Sequence, residues 1–438
     1  MSTASAWAEY LQQARWFGGK GLAFEVVGIE PLPWYTPDGV WPAVRSEIAT
    51  IAYSDARREQ YHLLAGYVPV GSAPAGLAVT STRVDGLGDV DCLDAPTHPP
   101  AMAQMIRALL AHPRAGMVWI DPGPVDAEAP MRLYTGEQSN TTVIVGEATL
   151  LKLFRKLEPG RNLDAEVLGA LSGSGITPDL YGVLSGGSRS DEFDLAMFCQ
   201  RVLDVTDGWK YATAACAEDR DISAESRQLG VELRELHRLL AEAFGTWQRP
   251  GTDLAAAMQR RFTAAADQVS ELAQYRNAAG LLFAAPSGRD LTTQRVHGDF
   301  HLGQVLHRTS GGSEWVIIDF EGEPLKTLAE RREPDTVWRD VAGALRSLDY
   351  ARSAHPEPAG STARAWCARA TAAFLDGYCG GAPAEPDLLR AYELDKAGYE
   401  VVYEVRNRPN WAHIPLSAVQ DEARRVSLNP PVPSDKEH

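Results

Sequence analysis

The sequence VHGDFHLGQVL, residues 296–306, comes shortly before an apolar strand-like run, WVII at residues 315–318, that ends in Asp319. Asp299 stands on a short glycine-containing loop, where a carboxylate can accept the proton of a hydroxyl group. Gln304 follows on the same stretch, so that its amide and the Asp319 carboxylate could together hold a divalent ion. A base and two metal ligands are what phosphoryl transfer from a nucleotide needs. The pattern therefore predicts a phosphotransferase site.

The spacing of these residues is that of the protein-kinase template. In that template a metal-binding asparagine follows the catalytic aspartate at the separation found here between Asp299 and Gln304, and an Asp-Phe-Gly triplet comes after a hairpin. Here Gln304 takes the place of the asparagine, and Asp319-Phe320-Glu321 takes the place of the triplet. The competing interpretation is that Asp299 caps a turn and Asp319 ends a strand. Two matching spacings favour the catalytic interpretation.

Two histidines flank the candidate base. We expect His297 to orient the loop through a backbone hydrogen bond rather than to bind a metal. The role of His301 is left open by the sequence.

Groups that could bind the phosphates of a nucleotide come earlier in the chain, in the order of the kinase template. Lys152 lies in the strand-like run TLLKLF, and Ser139 and Asn140 lie in a polar turn that can offer N–H groups and hydroxyls to phosphate oxygens. We expect Glu166, on the following helix, to fix the lysine ammonium, with Asp164 as the alternative. The turn has no glycine-rich pattern, and a solvated lysine on a strand is the competing interpretation of Lys152.

A change from β-rich to helical sequence follows the apolar run at residues 195–199, as at a hinge between two lobes. The adenine of a nucleotide would bond backbone atoms there, so Gln200 and Val202 are candidate contacts within the segment 200–203. An ordinary strand exit is the alternative interpretation.

The segment 392–411, YELDKAGYEVVYEVRNRPNW, repeats tyrosine, glutamate and asparagine at helical spacing. Side chains at this spacing share one face of a helix. Carboxylates, an amide and aromatic rings suit a sugar, whose hydroxyls need hydrogen bonds and whose apolar face packs on rings. Glu404, Asn407 and Trp411 are therefore candidate substrate residues, together with Asp299. A core helix with a solvated acidic edge is the alternative.

The composition restricts the partners. The 438 residues include 58 acidic and 42 basic side chains, a formal net charge of −16, which disfavours nucleic acid and anionic membranes. The 5 cysteines are scattered without a CxxC pair, which argues against a disulfide framework or a zinc site and indicates a reducing compartment. The first residues lack a secretory signal pattern, and no long apolar run occurs, so we expect a soluble cytoplasmic protein.

Three segments are predicted along the chain. Residues 1–92 alternate short strand-like runs with turn signals and predict a β-rich N-terminal subdomain. Residues 93–203 contain a helix-like stretch, a Pro/Gly-rich connector and the strands around Lys152. Residues 204–438 are dominated by helical periodicity and contain the catalytic and sugar-binding candidates.

Taken together, these motifs resemble those of the actinobacterial maltokinase-like family of sugar kinases, from near the start of the chain to near its end. The resemblance is carried by ARWFGGK (14–20), EQSNTTVIVGE (137–147), LLKLFRKLEPG (150–160), VHGDFHLGQVL (296–306), IIDFEGEP (317–324), AYELDKAGYE (391–400) and YEVRNRPNWAHIPL (403–416). It implies an α+β, bilobal protein-kinase-like fold, similar to aminoglycoside phosphotransferases, with an N-terminal β-rich cap and a mostly helical C-lobe.

The resemblance also implies roles for single residues. Asp299 would be the catalytic base, Gln304 and Asp319 the Mg²⁺ ligands, and Lys152 the lysine that binds ATP, the co-substrate. Residues 1–92 would form the cap of the family.

The acceptor sugar distinguishes members of this family, some of which phosphorylate maltose at O1 and others glucosamine at O6. The usual maltokinase ending WLPIPL is WAHIPL here, at residues 411–416, which favours D-glucosamine and the product glucosamine 6-phosphate. Carboxylates of Asp299, Glu321, Glu400 and Glu404 are expected to bind the ammonium group. A maltokinase is the main alternative, followed by an aminoglycoside phosphotransferase and a catalytically inactive, kinase-shaped binding protein.

Overall fold

The computed structural model describes residues 2–111, 116–136, 139–187, 191–310, 314–323, 326–382 and 384–428. The chain forms two compact units. Unit 1 comprises Met1–Ser172 and Pro178–Leu203, and unit 2 comprises Gly173–Thr177 and Asp204–His438. The predicted boundary between residues 92 and 93 lies inside unit 1 and stays a prediction.

Unit 1 consists mainly of antiparallel strands. Its helices are α1 (Thr3–Gln13), α2 (Pro99–Ala111) and α3 (Leu163–Leu171). Its strands are β1 (Phe24–Trp34), β2 (Ala43–Tyr53), β3 (Arg58–Pro69), β4 (Ala78–Val84), β5 (Gly88–Asp94), β6 (Met117–Trp119), β7 (Met131–Leu133), β8 (Thr141–Val145), β9 (Thr149–Leu153), β10 (Lys156–Leu157), β11 (Leu180–Gly187) and β12 (Glu192–Gln200).

The strands of unit 1 form two sheets in the described residues. One has the order β1-β2-β3-β5-β4, with β10 paired to β3, and the other has the order β6-β11-β12-β9-β8-β7. Trp7 and Leu11 of α1 are buried in a core formed on the first sheet. Met102, Met105 and Ile106 of α2 are buried in a second core that includes strands of both sheets, because their helical spacing places them on one face.

Unit 2 is mostly helical. Its helices are α4 (Gly208–Ala217), α5 (Ser223–Phe244), α6 (Gly251–Gln268), α7 (Arg276–Phe283), α8 (Leu328–Arg332), α9 (Trp338–Ala351), α10 (Ser361–Cys379), α11 (Pro386–Asn407) and α12 (His413–Leu428). Its short strands are β13 (Val205–Asp207), β14 (Thr246–Pro250), β15 (Asp290–Gln294), β16 (Val305–Arg308) and β17 (Trp315–Ile317). They pair as β13-β16-β17 and β14-β15.

Helices α5 and α10 approach closely at two glycines. A Cβ on Gly230 of α5 would lie 2.1 Å from the carbonyl oxygen of Phe374, and a Cβ on Gly377 of α10 would lie 1.9 Å from that of Arg227. Each glycine thus leaves room for the backbone of the facing helix. Helix α11 packs against α9, and this pair reaches the loop between β15 and β16.

The α+β organisation predicted from the sequence is confirmed, with antiparallel sheets in the N-terminal part and helices in the C-terminal part. Within the described ranges, every helix is too short or too polar to cross a membrane.

Candidate active site

The loop between β15 and β16 carries Asp299. Gly298, directly before it, has a φ of +84°, a left-handed conformation that favours glycine. The buried ring of His297 donates through Nε2 to the carbonyl oxygen of Ile318 at 3.0 Å, and its Nδ1 accepts the backbone N–H of Asp299 at 3.4 Å. Both ring nitrogens of His297 are therefore occupied by backbone groups, and the ring connects this loop to the residue before Asp319.

The first turn of α9 also holds this loop. The Asp340 carboxylate accepts the backbone N–H groups of His297 at 2.7 Å and Gly298 at 2.9 Å, as well as Nε2–H of His237 at 3.0 Å. Burial alone would raise the pKa of Asp340, but the hydrogen bond from His237 and those from the loop outweigh it and lower the pKa. Arg339 donates through Nε to the carbonyl oxygen of Gly298 at 3.1 Å. An ionised carboxylate and a guanidinium thus fix two consecutive peptide groups before Asp299.

Gln304 and Asp319 are in direct contact. Gln304 ends a short 3₁₀ turn, Leu302–Gln304, and its Nε2 donates to Oδ2 of Asp319 at 3.0 Å. Asp319 follows β17 with a φ of +67°, a conformation that residues other than glycine rarely adopt and that is found at functional sites. Both side chains are half-buried. An amide oxygen and a carboxylate are the kind of ligands that Mg²⁺ takes, so the residues present fit a magnesium site.

In unit 1, Lys152 lies on β9 and forms an ion pair with Asp164, with 2.8 Å between Nζ and Oδ2. Asn162 caps α3 by accepting the backbone N–H groups of Asp164 and Ala165, which places Asp164 in the first turn, where the helix dipole favours a carboxylate. The structure thus shows Asp164, the alternative partner, in contact with the lysine. The expectation for Glu166 stays a prediction.

The predicted phosphate turn has one anchored and one exposed residue. The buried Asn140 accepts the backbone N–H of Arg155 through Oδ1 at 3.2 Å, whereas Ser139 is exposed. Gln138, which precedes them, lies outside the described residues. The amide of Asn140 thus supports the turn.

The candidate adenine contacts lie at the end of β12. Gln200 donates its backbone N–H to the carbonyl oxygen of Asp179 at 2.8 Å, and its Oε1 accepts the backbone N–H of Asp179 at 3.4 Å. Val202 is half-buried in the segment that follows. The backbone N–H of Gln200 is thus already bound to Asp179, and the adenine contacts of Gln200 and Val202 stay a prediction.

A cavity of about 370 Å³ opens beside Asp299 within unit 2. Of the predicted substrate residues, Asp299, Glu404 and Trp411 line it. Asn407 is not among the lining residues; it is exposed and donates through Nδ2 to the carbonyl oxygen of Tyr403 at 2.9 Å. Its amide thus folds back onto the last turn of α11. The sugar contact of Asn407 stays a prediction.

The carboxylates that line the cavity from α11 are bound to arginines. Oε2 of Glu400 accepts Nε and Nη2 of Arg346 at 3.0 and 2.8 Å. The buried Glu404 accepts Nε and Nη2 of Arg408 at 2.9 and 2.6 Å. Glu321 is not among the lining residues. Glu400 and Glu404 thus already have arginine partners, and the binding of an ammonium group by these carboxylates stays a prediction.

Trp411 forms the aromatic part of the cavity wall. Its ring stacks on Tyr350 with 6.3 Å between centroids and an angle of 22° between planes. The guanidinium of Arg408 lies 5.2 Å from the centroid of Trp411, within the range of a cation–π contact. The wall therefore combines apolar ring faces with charged hydrogen-bonding groups, as a sugar requires.

Four residues of this site are absent from the sequence-based set: Arg339, Asp340, Lys396 and Arg408. Arg339 and Asp340 are adjacent charged residues at the start of α9, and Asp340 is 1% exposed. Two adjacent charged residues at the start of a predicted helix were the sequence signal that could have identified them. Lys396 and Arg408 lie within the segment already identified as sugar-binding, where the spacing analysis followed the acidic and aromatic residues.

Comparison with known proteins shows the family to which the chain belongs. Two glucosamine kinases are 28% identical to this chain: the one from Mycolicibacterium smegmatis (strain ATCC 700084 / mc(2)155) over 336 residues, covering 66% of this chain and 80% of the relative, and the one from Streptacidiphilus jiangxiensis over 322 residues, covering 65% and 72%. Among solved structures, a glucosamine kinase in complex with glucosamine, ADP and inorganic phosphate is similar in fold, with a TM-score of 0.67 at 22% identity over 95% of this chain and 98% of that chain. Residues 131–392, more than half of the chain, match the model of the APH family. The protein belongs to this phosphotransferase enzyme family.

Proposed function

We propose that the protein is an ATP-dependent glucosamine kinase, which transfers the γ-phosphoryl group of ATP to O6 of D-glucosamine and gives glucosamine 6-phosphate and ADP. The observation that carries the proposal is the position of Asp299. It lines a cavity large enough for a sugar, and it lies on the same loop as Gln304. A soluble co-substrate such as ATP fits a cytoplasmic location.

The choice of sugar is supported by two observations. Both curated relatives are named glucosamine kinases. The cavity of about 370 Å³ is near the lower end of the range for small-molecule sites, about 300–1,000 Å³. A cavity of this size has room for a monosaccharide such as glucosamine.

Asp299 would act as the general base. The hydroxyl at C6 donates its proton to the carboxylate as its oxygen attacks the γ-phosphorus, and the bond from that phosphorus to the bridging oxygen breaks to release ADP. The backbone contacts of His297 and Asp340 hold the loop, so the backbone at Asp299 needs no rearrangement during the reaction.

The phosphate-binding roles expected from the sequence are part of the proposal. Gln304 and Asp319 would hold Mg²⁺, which neutralises phosphate charge when bound. Lys152 would pair with phosphate oxygens, and its ion pair with Asp164 fixes the ammonium in one position. Ser139 offers a hydroxyl at the phosphate turn, and Val202 offers backbone atoms for the base.

A comparison of acceptors tests the proposal. ADP formation by the purified protein is measured with glucosamine, glucose, maltose, an aminoglycoside and no acceptor, and the product is identified by ³¹P NMR. We expect the highest kcat/KM with glucosamine. Because Glu400 and Glu404 are already paired with arginines, an ammonium group adds to existing ion pairs, and the preference over glucose should be about 10-fold rather than thousands-fold.

The same panel separates the alternatives. A highest kcat/KM for maltose, with phosphate at O1, would replace the glucosamine proposal with a maltokinase. A highest value for the aminoglycoside would indicate a resistance-type phosphotransferase. No ADP formation above the acceptor-free rate would indicate a binding protein.

A further inference from the structure

We propose that Lys396 is a positioning residue for the catalytic base: its ammonium binds Oδ1 of Asp299 and leaves Oδ2 to take the proton of the acceptor. The inference rests on the proposed kinase function and adds to it a residue from α11.

The two carboxylate oxygens of Asp299 have different neighbours. Nζ of Lys396 lies 3.5 Å from Oδ1, whereas Nε2 of His301 lies 4.0 Å from Oδ2. Nδ1 of His301 accepts the backbone N–H of Gly303 at 3.0 Å, so the proton of the neutral ring is on Nε2. Both Lys396 and His301 line the cavity. Oδ1 therefore faces a cation, and Oδ2 faces a neutral N–H group at a distance that leaves it open to a hydroxyl group.

The Lys396 side chain is held in this position. It is 19% exposed, and Asp299 is its ion-pair partner among the described residues. Burial alone would lower the pKa of Lys396, but the charges of Asp299, Glu323 and Glu400 outweigh it and raise the pKa. Glu323 and Glu400 are themselves bound to Arg339 and Arg346. Lys396 is therefore a fixed cation whose partner is the base.

Helix α9 lies directly against the residue after Asp299. A Cβ on Gly343 would lie 2.2 Å from the carbonyl oxygen of Phe300, whereas it would lie 3.6 Å from Nζ of Lys396, an ordinary van der Waals distance. Glycine at this position thus allows the close approach of α9 to the catalytic loop. The Lys396 ammonium lies alongside this contact.

The arrangement assigns each oxygen a task in the transfer step. The acceptor hydroxyl passes its proton to Oδ2 of Asp299, its oxygen forms the new bond to the γ-phosphorus, and the leaving oxygen of ADP keeps the electron pair of the broken bond. Lys396 gains and loses no atoms. It restrains rotation about the bond to the carboxylate, so its removal should slow the chemical step more than it weakens substrate binding.

The test compares Lys396→Met, which keeps the length of the side chain without its charge, with Lys396→Arg, which keeps the charge. Lys210→Met, at an exposed lysine outside the cavity lining, is the matched control. Steady-state rates are measured with ATP and glucosamine. We expect Lys396→Met to lower kcat by about 100-fold, with KM for both substrates within about 3-fold, Lys396→Arg to restore about 10-fold of the loss, and Lys210→Met to match the wild type.

Three results would overturn the inference. They are a kcat of Lys396→Met within 3-fold of the wild type, an effect confined to KM, and a Lys396→Arg variant that folds but is no more active than Lys396→Met. Where Lys396→Met unfolds, Lys396→Gln replaces it. If the wild type prefers another acceptor, the glucosamine proposal fails, while the same kcat comparison with that acceptor still decides the role of Lys396. A wild type that transfers phosphate to no acceptor overturns both.

Discussion

At the scale of single residues, the position of Asp299 is set by its backbone. The ring of His297 accepts its N–H group, and the Asp340 carboxylate binds the two N–H groups before it. None of these contacts involves the Asp299 carboxylate. The charge of this side chain can therefore be removed without removing the bonds that shape the loop.

The first prediction concerns this charge. Asp299→Asn keeps the size of the side chain but cannot accept a proton, so kcat should fall by about 10²–10⁴-fold, while the affinity for Mg·ATP stays within about 3-fold. Coupled ADP assays give kcat, and calorimetric titration with a non-hydrolysable ATP analogue gives the affinity. A variant with nearly wild-type turnover would reject Asp299 as the base.

The second prediction separates the two metal ligands. Asp319→Ala removes a charge, whereas Gln304→Ala removes a dipole, so the Mg²⁺ concentration for half-maximal activity should rise more in Asp319→Ala. Titration of activity with Mg²⁺ at saturating ATP measures this difference. Half-maximal concentrations equal to the wild-type value in both variants would place the metal elsewhere.

Some of the site residues could be predicted from the sequence and others could not. Asp299, Gln304 and Asp319 could be identified because their spacing along the chain reflects a local loop and strand. The choice between Asp164 and Glu166 could not, because it depends on which face of α3 meets β9, and both residues have the same chemistry. A separation of two positions on a helix decides the contact.

At the scale of elements, the segment between β17 and α9 is joined to α9 by charged side chains. The Glu323 carboxylate binds Arg339 and accepts Nζ of Lys326 at 3.0 Å. Arg339 also donates to the Asp335 carboxylate at 2.9 Å and to the carbonyl oxygen of Gly298. Glu323 therefore supports the arginine that holds the catalytic loop.

The third prediction follows from the charge of Glu323. Burial alone would raise its pKa, but Arg339 and the neighbouring lysines lower it from 4.5 to about 2. A lowered pKa stabilises the folded protein above pH 4.5, and this contribution, at most about 3 kcal/mol, is lost as the pH falls toward 2. Urea unfolding of wild type and Glu323→Gln between pH 6 and pH 3 measures it.

We expect the wild type to lose more unfolding free energy on acidification than Glu323→Gln does. Glu242→Gln, at an exposed ion pair on α5, is the control and should follow the wild type. Equal pH dependence in wild type and Glu323→Gln would show that Glu323 contributes no pH-dependent stability.

Helical periodicity predicted elements such as α11 but not their contacts. The face of α11 that carries Glu404 was recognisable from the spacing of its side chains, and it does line a cavity. That Lys396 reaches Asp299, and that Asp340 meets the peptide groups before it, depends on the packing of α9 and α11. Both helices are far in sequence from the loop residues they contact. No local sequence pattern therefore predicts these contacts.

At the scale of the whole molecule, the α+β class could be predicted because strands and helices are separated along the chain. The pairing of the strands could not be predicted, since β10 pairs with β3, a strand that ends almost 90 residues earlier in the chain. A buried ion pair accompanies this pairing: Arg155 is 0% exposed and binds the Asp94 carboxylate at 2.9 and 3.0 Å. The strand that carries Lys152 is thus followed directly by a residue fixed in the core.

The last prediction uses the stability of the whole chain to report on nucleotide binding. A ligand at about 100 times its Kd stabilises the folded state by about 2.7 kcal/mol, which should raise Tm by several degrees. Lys152→Met also removes the ion pair with Asp164 and lowers Tm of the free protein, so the quantity compared is the shift caused by Mg·ADP. This shift should fall by more than half in Lys152→Met and stay unchanged in Lys156→Met, whose lysine is exposed and pairs with Glu59. A full shift in Lys152→Met would exclude the lysine from the nucleotide site.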